Sequence, residues 1–109
     1  MKMKKLAVKN IRSYQHQTLE FPEGSLLLAG DVGSGKTTLL LAMEYALFGL
    51  QPGQKGSALL RHDAQTGEVI LECEIDGHDV VIERHLRREQ RSITSDYAAL
   101  TLDGETREY

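Results

Sequence analysis

Residues 30–37 read Gly-Asp-Val-Gly-Ser-Gly-Lys-Thr, and they stand between two apolar stretches at residues 26–29 and 39–48. A strand, a G-x-x-x-x-G-K-[ST] loop and a helix in this order are typical of a phosphate-binding P-loop. Glycines permit backbone angles that other residues avoid, so successive N–H groups converge on an anion at the start of the helix. The stretch therefore predicts a site for a nucleotide triphosphate, and the alternative is a Gly-rich turn without a ligand.

The motif assigns a role to the residues that would meet phosphate and metal. Lys36 is the candidate catalytic residue because its ammonium group would reach the β- and γ-phosphates. Thr37 is the candidate metal ligand, since its hydroxyl would bind Mg²⁺. The other candidate cofactor-binding residues of this stretch would form the phosphate cradle, and they are Gly30, Asp31, Val32, Gly33, Ser34 and Gly35.

The composition limits the class of protein. A chain of 109 residues suits one domain with a modest core, and its net charge of −3 does not indicate nucleic acid or a membrane surface as a partner. One cysteine cannot form an internal disulfide and fits a reducing compartment. The basic N-terminus is not followed by an apolar signal core, and no apolar run approaches the roughly 20 residues of a membrane span. We expect a cytoplasmic protein with no membrane partner.

Apolar periodicity predicts the elements on both sides of the P-loop. Residues 6–11 and 19–21 alternate like half-exposed strands of a hairpin, whereas residues 25–29 suit a strand covered on both faces. The segment 36–48 predicts a helix, with Gly49 just past its end. Asp-Gly pairs at 76–77 and 103–104 predict two hairpin turns among alternating strands. The half after the helix is therefore antiparallel, unlike the βα alternation of small kinases and GTPases.

The predicted helix is apolar nearly all round, since Glu44 is the only charged residue between positions 39 and 48. Such a helix must be covered nearly all round. A domain of this size cannot do so with its own surface. We expect a further lobe of the same protein to cover it, and a homodimer seam is the alternative.

Three stretches, residues 5–14 (KLAVKNIRSY), 30–38 (GDVGSGKTT) and 44–49 (EYALFG), resemble the N-terminus of an SMC-type ATPase head. Within that superfamily the chain is most similar to the DNA double-strand-break repair ATPases typified by bacterial SbcC. The resemblance implies an α/β fold of the ABC/SMC-head P-loop NTPase type, N-terminal lobe only, with one P-loop helix packed on a mixed, largely antiparallel sheet. We expect residues 1–109 to form a single domain, with a P-loop portion at 1–58 and an antiparallel hairpin portion at 59–109.

The resemblance also implies a mechanism that needs more than this chain. A coiled coil and a C-terminal lobe, both absent here, would follow, and that lobe would supply Walker B, its catalytic Glu and the signature motif. ATP and Mg²⁺ would clamp two heads together on DNA, hydrolysis would release them, and a nuclease subunit would accompany the complex. The intact protein would be an ATPase, whereas this chain alone would hydrolyse little ATP. The alternatives are a nucleotide-gated DNA-bridging clamp with little turnover and a small P-loop kinase-type transferase.

The family pattern extends the site beyond the P-loop. It adds Thr38 to the phosphate cradle, and it places Arg12 and Ser13 near the nucleotide phosphates. Residues 60–62 would lie along the base and phosphate side. Val32 departs from the pattern, because the family commonly has Asn there and Val cannot donate a side-chain hydrogen bond. We therefore expect Val32 to make the sensing of the γ-phosphate differ from that in the family.

Charged and sulfur-bearing residues outside these motifs have simpler interpretations. The sequence 69–72 superficially resembles a Walker B, but its flanking glutamates alternate with period two and predict a solvated strand face. Cys73 on the apolar side of that strand is a predicted core residue. A basic cluster is a candidate contact for DNA phosphates, with a solvated face as the alternative, and it consists of Arg84, Arg87, Arg88 and Arg91.

Overall fold

The computed structural model describes residues 2–12, 14–21, 34–50, 56–90 and 92–108, with the backbone alone at 34–37 and 57. Among these residues it contains one α-helix, one short 3-10 helix at Gly56–Ala58 and six β-strands. In chain order the elements are β1 (Lys2–Ile11), β2 (Tyr14–Glu20), α1 (Ser34–Phe48), β3 (Thr66–Ile75), β4 (His78–Arg88), β5 (Ile93–Leu102) and β6 (Glu105–Glu108).

The six described strands form one sheet in the order β2-β1-β3-β4-β5-β6, and every neighbouring pair is antiparallel. The N-terminal hairpin joins the later strands because β1 pairs with both β2 and β3. The largely antiparallel sheet predicted from the sequence is confirmed. The predicted turn at 22–24 and the predicted strand at 25–29 lie outside the described residues.

Both Asp-Gly hairpin turns are confirmed. Asp76 and Gly77 have φ values of 50° and 80°, and Asp103 and Gly104 have values of 47° and 90°. Two consecutive positive φ angles are required by a type I′ turn, whose twist matches that of the flanking strands. Ile75 pairs with His78 across the first turn, which is therefore a two-residue connection.

One face of the sheet carries the core, and α1 packs against it. Leu6 and Val8 of β1 lie beside Leu71 and Val69 of β3, and all four are buried. Cys73 is 1% exposed on the same face, which confirms the prediction that it is a core residue. Glu68, Glu72 and Glu74 alternate with these residues and are half-exposed, as expected of a solvated strand face.

The helix α1 begins two residues before the predicted start and ends as predicted. The Gly49 N–H donates to the Tyr45 carbonyl at 2.8 Å, and Gly49 has a φ of 73°, which together form an αL cap. The helix is not covered all round by the described residues, because Leu40 is 45% exposed and Phe48 is 65% exposed. Glu44 is exposed between them on the same stripe. No described helix is long and apolar enough to cross a bilayer.

The basic cluster predicted from the sequence is not a single surface. Arg84 and Arg88 lie on the α1 face of β4, where they alternate with the buried residues Ile82 and Leu86. Arg87 is exposed on the opposite face. The interpretation of four arginines as one DNA contact is thus corrected for Arg84 and Arg88, whose guanidinium groups bind backbone carbonyls of this chain. Arg91 lies outside the described residues.

Candidate functional site

The site begins at the turn between β1 and β2, where two residues adopt left-handed backbone angles. Asn10 has a φ of 53° and Arg12 a φ of 51°. Such angles cost roughly 1–3 kcal/mol at residues other than glycine and persist only where the surroundings fix them. Here the Arg12 N–H donates to the Leu59 carbonyl at 2.7 Å, and the Asn10 carbonyl accepts from the Arg61 N–H at 2.9 Å. The turn is therefore held by residues 59–61.

Leu60 and the backbone of β1 lie so close to the start of β3 that a side chain at Gly67 would be crowded. A Cβ atom on Gly67 would lie 2.8 Å from Leu60 Cδ1 and 3.0 Å from the Asn10 carbonyl oxygen. Asn10 Nδ2 donates to the Thr66 carbonyl at 3.0 Å, which secures the same crossing from the other side. The sequence thus builds a tight junction of β1, residues 59–61 and β3.

An open cleft of about 360 Å³ lies at this junction and is lined by Arg12, Ala58, Leu60 and His62. Arg12 is exposed, so its cationic guanidinium is available to an anionic ligand. Leu60 and Ala58 supply apolar surface, and the His62 ring adds a polar edge. The structure therefore brings Arg12 together with the stretch 60–62, two features that the sequence places some 50 positions apart.

The end of β4 holds the backbone of residues 61–64, which include the cleft residue His62. Arg88 donates from Nε to the Ala64 carbonyl at 3.1 Å and from Nη2 to the Arg61 carbonyl at 3.2 Å. Arg61 Nε forms an ion pair with Asp63 Oδ1 at 2.8 Å within the same turn. The turn that carries His62 is therefore bound both to itself and to the end of β4.

The P-loop helix is anchored through polar groups in its C-terminal half. Tyr45 is fully buried, and its hydroxyl lies 2.7 Å from Ser95 Oγ and donates to the His85 carbonyl at 3.0 Å. Burial raises the pKa of the Tyr45 hydroxyl above its ordinary value of 10.0. Arg84 Nε donates to the Ala46 carbonyl at 2.9 Å. These bonds fix the helix that begins with the last residues of the P-loop motif.

The predicted site residues divide into three groups by how much of each residue the structure describes. Arg12 lines the cleft, whereas Thr38 is buried, with 1% of its surface exposed. Ser34, Gly35, Lys36 and Thr37 form the first turn of α1, of which the backbone alone is described. Five predicted residues lie outside the described part of the chain, and they are Ser13, Gly30, Asp31, Val32 and Gly33.

The contacts made by Arg84, Arg88 and Tyr45 were not predicted from the sequence, although its periodicity gave an indication for the two arginines. Period-two alternation along β4 places Arg84 and Arg88 on the face of Ile82 and Leu86, and an arginine on an apolar face needs polar partners. Tyr45 carried no comparable signal, because its partners lie on strands 40 and 50 positions away.

Comparison with known families identifies the class. The profile of a family described as the AAA domain matches residues 5–108, and the chain belongs to this family. Among solved structures, the SMC head domain from Thermotoga maritima is similar in fold, with a TM-score of 0.59 and 21% identity over 98% of this chain and 39% of that one. The fold is thus that of an SMC-type head, of which the chain represents the N-terminal lobe.

The chain is also similar in sequence to proteins named as Rad50. The chain is 34% identical over 110 residues to the DNA double-strand break repair Rad50 ATPase of Methanosarcina acetivorans, which covers 96% of the chain and 10% of that protein. It is 29% identical over 112 residues to the DNA repair protein RAD50 of Saccharomyces cerevisiae, which covers 93% of the chain and 8% of that protein. The chain spans a tenth or less of the length of these two relatives. The resemblance to SMC and Rad50-type ATPases is confirmed.

Proposed function

We propose that the chain is the ATP-binding lobe of an SMC/Rad50-type ATPase that acts on DNA in repair or chromosome maintenance. The observation that carries the proposal is the G-x-x-x-x-G-K-T sequence at residues 30–37 running into α1, which begins at Ser34. The first N–H groups of a helix lack intrahelical partners, and the helix dipole favours negative charge at that end. A polyphosphate is therefore the fitting ligand.

The proposed ligand is ATP with Mg²⁺, and the chain offers donors for each part of it. Lys36 would meet the β- and γ-phosphates, and Thr37 would ligate the metal ion, which neutralises phosphate charge during transfer. Ser13 and the N–H groups of the loop would complete the cradle. Arg12 adds an exposed cation in the cleft beside residues 58–62, which supports the proposal that the ligand extends along this wall.

Hydrolysis and release are proposed to need groups beyond this lobe. The P-loop supplies binding and charge stabilisation, but turnover also needs a residue that positions water. We assign that residue to a C-terminal lobe joined through a coiled coil, with a second head and a nuclease subunit as partners, in a cytoplasmic complex on DNA. The names of the Rad50 relatives support a role in DNA repair.

The exposed stripe of α1 supports the proposal that a further lobe of the protein packs there. Leu40 is 45% exposed, and Leu41 and Leu47 are half-buried against the core. Because Leu40 is already more than half buried, covering the rest of it contributes about 1 kcal/mol.

MgATP binding by the full-length protein tests the proposal directly. Calorimetric titration should show that Lys36→Ala removes detectable MgATP binding, whereas Lys9→Ala, which changes an exposed lysine of β1, should bind like the wild type. Wild-type affinity in Lys36→Ala would contradict the proposal. Steady-state hydrolysis with and without DNA then separates a DNA-stimulated ATPase from a clamp that binds ATP with little turnover.

A further inference from the structure

We infer that Arg88 is a positioning residue for the nucleotide cleft, a role that rests on the proposed function. Arg88 does not line the cleft. Its guanidinium instead binds the backbone of residues 61–64, the turn that carries the cleft residue His62. Its effect on a ligand would therefore pass through the placement of His62 and Arg12.

The Arg88 guanidinium donates hydrogen bonds to three backbone carbonyls of one turn. Nε lies 3.1 Å from the Ala64 oxygen, and Nη2 lies 3.2 Å from the Arg61 oxygen and 3.4 Å from the His62 oxygen. The turn is closed by the Ala64 N–H, which donates to the Arg61 carbonyl at 3.0 Å. Carbonyl dipoles that converge in this way repel one another unless a cation lies among them. Arg88 supplies that cation.

The backbone of Arg88 strengthens the same attachment. Its N–H donates to the Gln65 carbonyl at 2.8 Å, and the Gln65 side-chain amide donates back to the Arg88 carbonyl. At the other end of the wall, a Cβ atom on Gly56 would lie 2.6 Å from Ile93 Cγ2 on β5. Both ends of the segment 56–65 therefore rest on the turn end of the β4–β5 hairpin, where Arg88 pairs with Ile93.

The wall in turn holds Arg12. Its strained backbone is fixed by the Leu59 carbonyl, and Arg61 Nη1 lies 3.5 Å from the Arg12 carbonyl. Loosening the turn at 61–64 would therefore displace His62 and weaken the contact of Arg61 with the Arg12 carbonyl. A lysine cannot replace Arg88 here, because a single ammonium group lacks the planar fork that reaches several acceptors at fixed angles.

The test compares Arg88→Lys and Arg88→Ala with Arg87→Lys, a matched change at the adjacent exposed position, in the full-length protein. Arg88→Lys should weaken MgATP binding about tenfold and Arg88→Ala more, whereas Arg87→Lys should stay within about twofold. Amide hydrogen exchange of residues 61–65 should become faster in Arg88→Lys, and saturating MgATP should slow it again. A purely structural arginine would change unfolding without this link to the ligand.

The outcomes separate this inference from the proposed function. If Arg88→Lys binds MgATP like the wild type while residues 61–65 exchange faster, the positioning role is wrong and the nucleotide site stands. Unchanged exchange in Arg88→Lys also overturns it. If the wild type does not bind MgATP, both proposals fail together. If Arg88→Ala does not fold, the lysine variant decides the question.

Discussion

Arg84 Nε donates a hydrogen bond to the Ala46 carbonyl at 2.9 Å and thereby joins the middle of β4 to the last turn of α1. Carbonyls in the last turn of a helix lack intrahelical partners, and cations are favoured at that end. Gly49 makes room for the contact, since a Cβ atom there would lie 3.3 Å from Arg84 Nη1. Arg84 thus stabilises the C-terminal end of the helix that carries the P-loop motif.

Replacing Arg84 with alanine should destabilise the fold by about 1–3 kcal/mol, because the Ala46 carbonyl would lose a charged donor in a partly buried place. Urea unfolding measures the change in the free energy of unfolding. Arg87→Ala is the control, and it should stay within about 0.5 kcal/mol since Arg87 is exposed on the other face. Equal losses in the two variants would show that the helix contact contributes nothing specific.

Removing the Tyr45 hydroxyl should also destabilise the protein. The β4–β5 pairing shifts register between His85 and Leu86, and the Tyr45 hydroxyl donates to the His85 carbonyl at this irregularity. Tyr45→Phe leaves that carbonyl and Ser95 without their partner, at an expected cost of about 1–3 kcal/mol.

A double-mutant cycle of Tyr45→Phe with Ser95→Ala apportions this cost between the two bonds. A coupling energy near zero would assign the loss to the His85 carbonyl, whereas a coupling of about 1 kcal/mol would assign it to Ser95. A Tyr45→Phe variant as stable as the wild type would contradict the anchoring role.

The sequence predicts features that depend on neighbouring residues, such as turns and helix caps. It does not predict which residues far apart in the chain will be in contact. Asp76-Gly77, Gly49 and the P-loop motif act through their own backbone angles and neighbours, so their turn, cap and helix could be predicted. The bond from Arg84 spans 38 positions and that from Arg88 to Ala64 spans 24, so the partner of each depends on how the strands are assembled. The charge of an arginine indicates that it needs acceptors without saying whether they belong to DNA or to this chain.

The same contrast holds within the site. Spacing alone predicts that residues 30–37 bind phosphate, because the motif is continuous in the chain. The cleft wall forms only when residues 59–61 pair with the turn at 10–12, and the left-handed angles of Asn10 and Arg12 follow from that pairing. Only the family resemblance indicated that Arg12 and residues 60–62 belong together.

Acid should weaken the link between the two Asp-Gly hairpins. His78 Nδ1 lies 2.7 Å from Asp103 Oδ2, and the Asp79 N–H donates to Asp103 Oδ1 at 3.0 Å. The hydrogen bond with His78, followed by that from Asp79, lowers the pKa of Asp103 below its ordinary value of 3.8. A lowered carboxyl pKa stabilises the fold above the ordinary value, and this contribution disappears as the pH falls through the lowered one.

Asp103→Asn should therefore lower the urea midpoint at neutral pH, and the difference from the wild type should shrink as the pH falls below 3.8. Asp76→Asn is the matched control, because it makes the same chemical change in the other Asp-Gly turn. A difference for Asp103→Asn that stays constant from neutral pH to about pH 2 would rule out the carboxylate bonds as its source.

Gly67→Ala should damage the junction that shapes the cleft. The added Cβ would lie 2.8 Å from Leu60 Cδ1, which can move, but also 3.0 Å from the carbonyl oxygens of Asn10 and Lys9, which belong to the backbone of β1. Relieving this overlap requires the start of β3 to move away from β1 and from Leu60, at an expected cost of about 1–3 kcal/mol. The Arg12 N–H, which donates to Leu59, should then exchange with solvent faster.

Gly77→Asn serves as the comparison for this variant. Gly77 has a φ of 80°, and a Cβ atom there would meet no neighbouring atom within 4 Å. Asparagine also tolerates left-handed angles better than most other side chains. Urea unfolding should therefore show a smaller loss for Gly77→Asn than for Gly67→Ala, and exchange at Arg12 should not change. If Gly67→Ala keeps both the stability and the slow Arg12 exchange of the wild type, the close approach of residues 59–61 to β3 does not hold the cleft together.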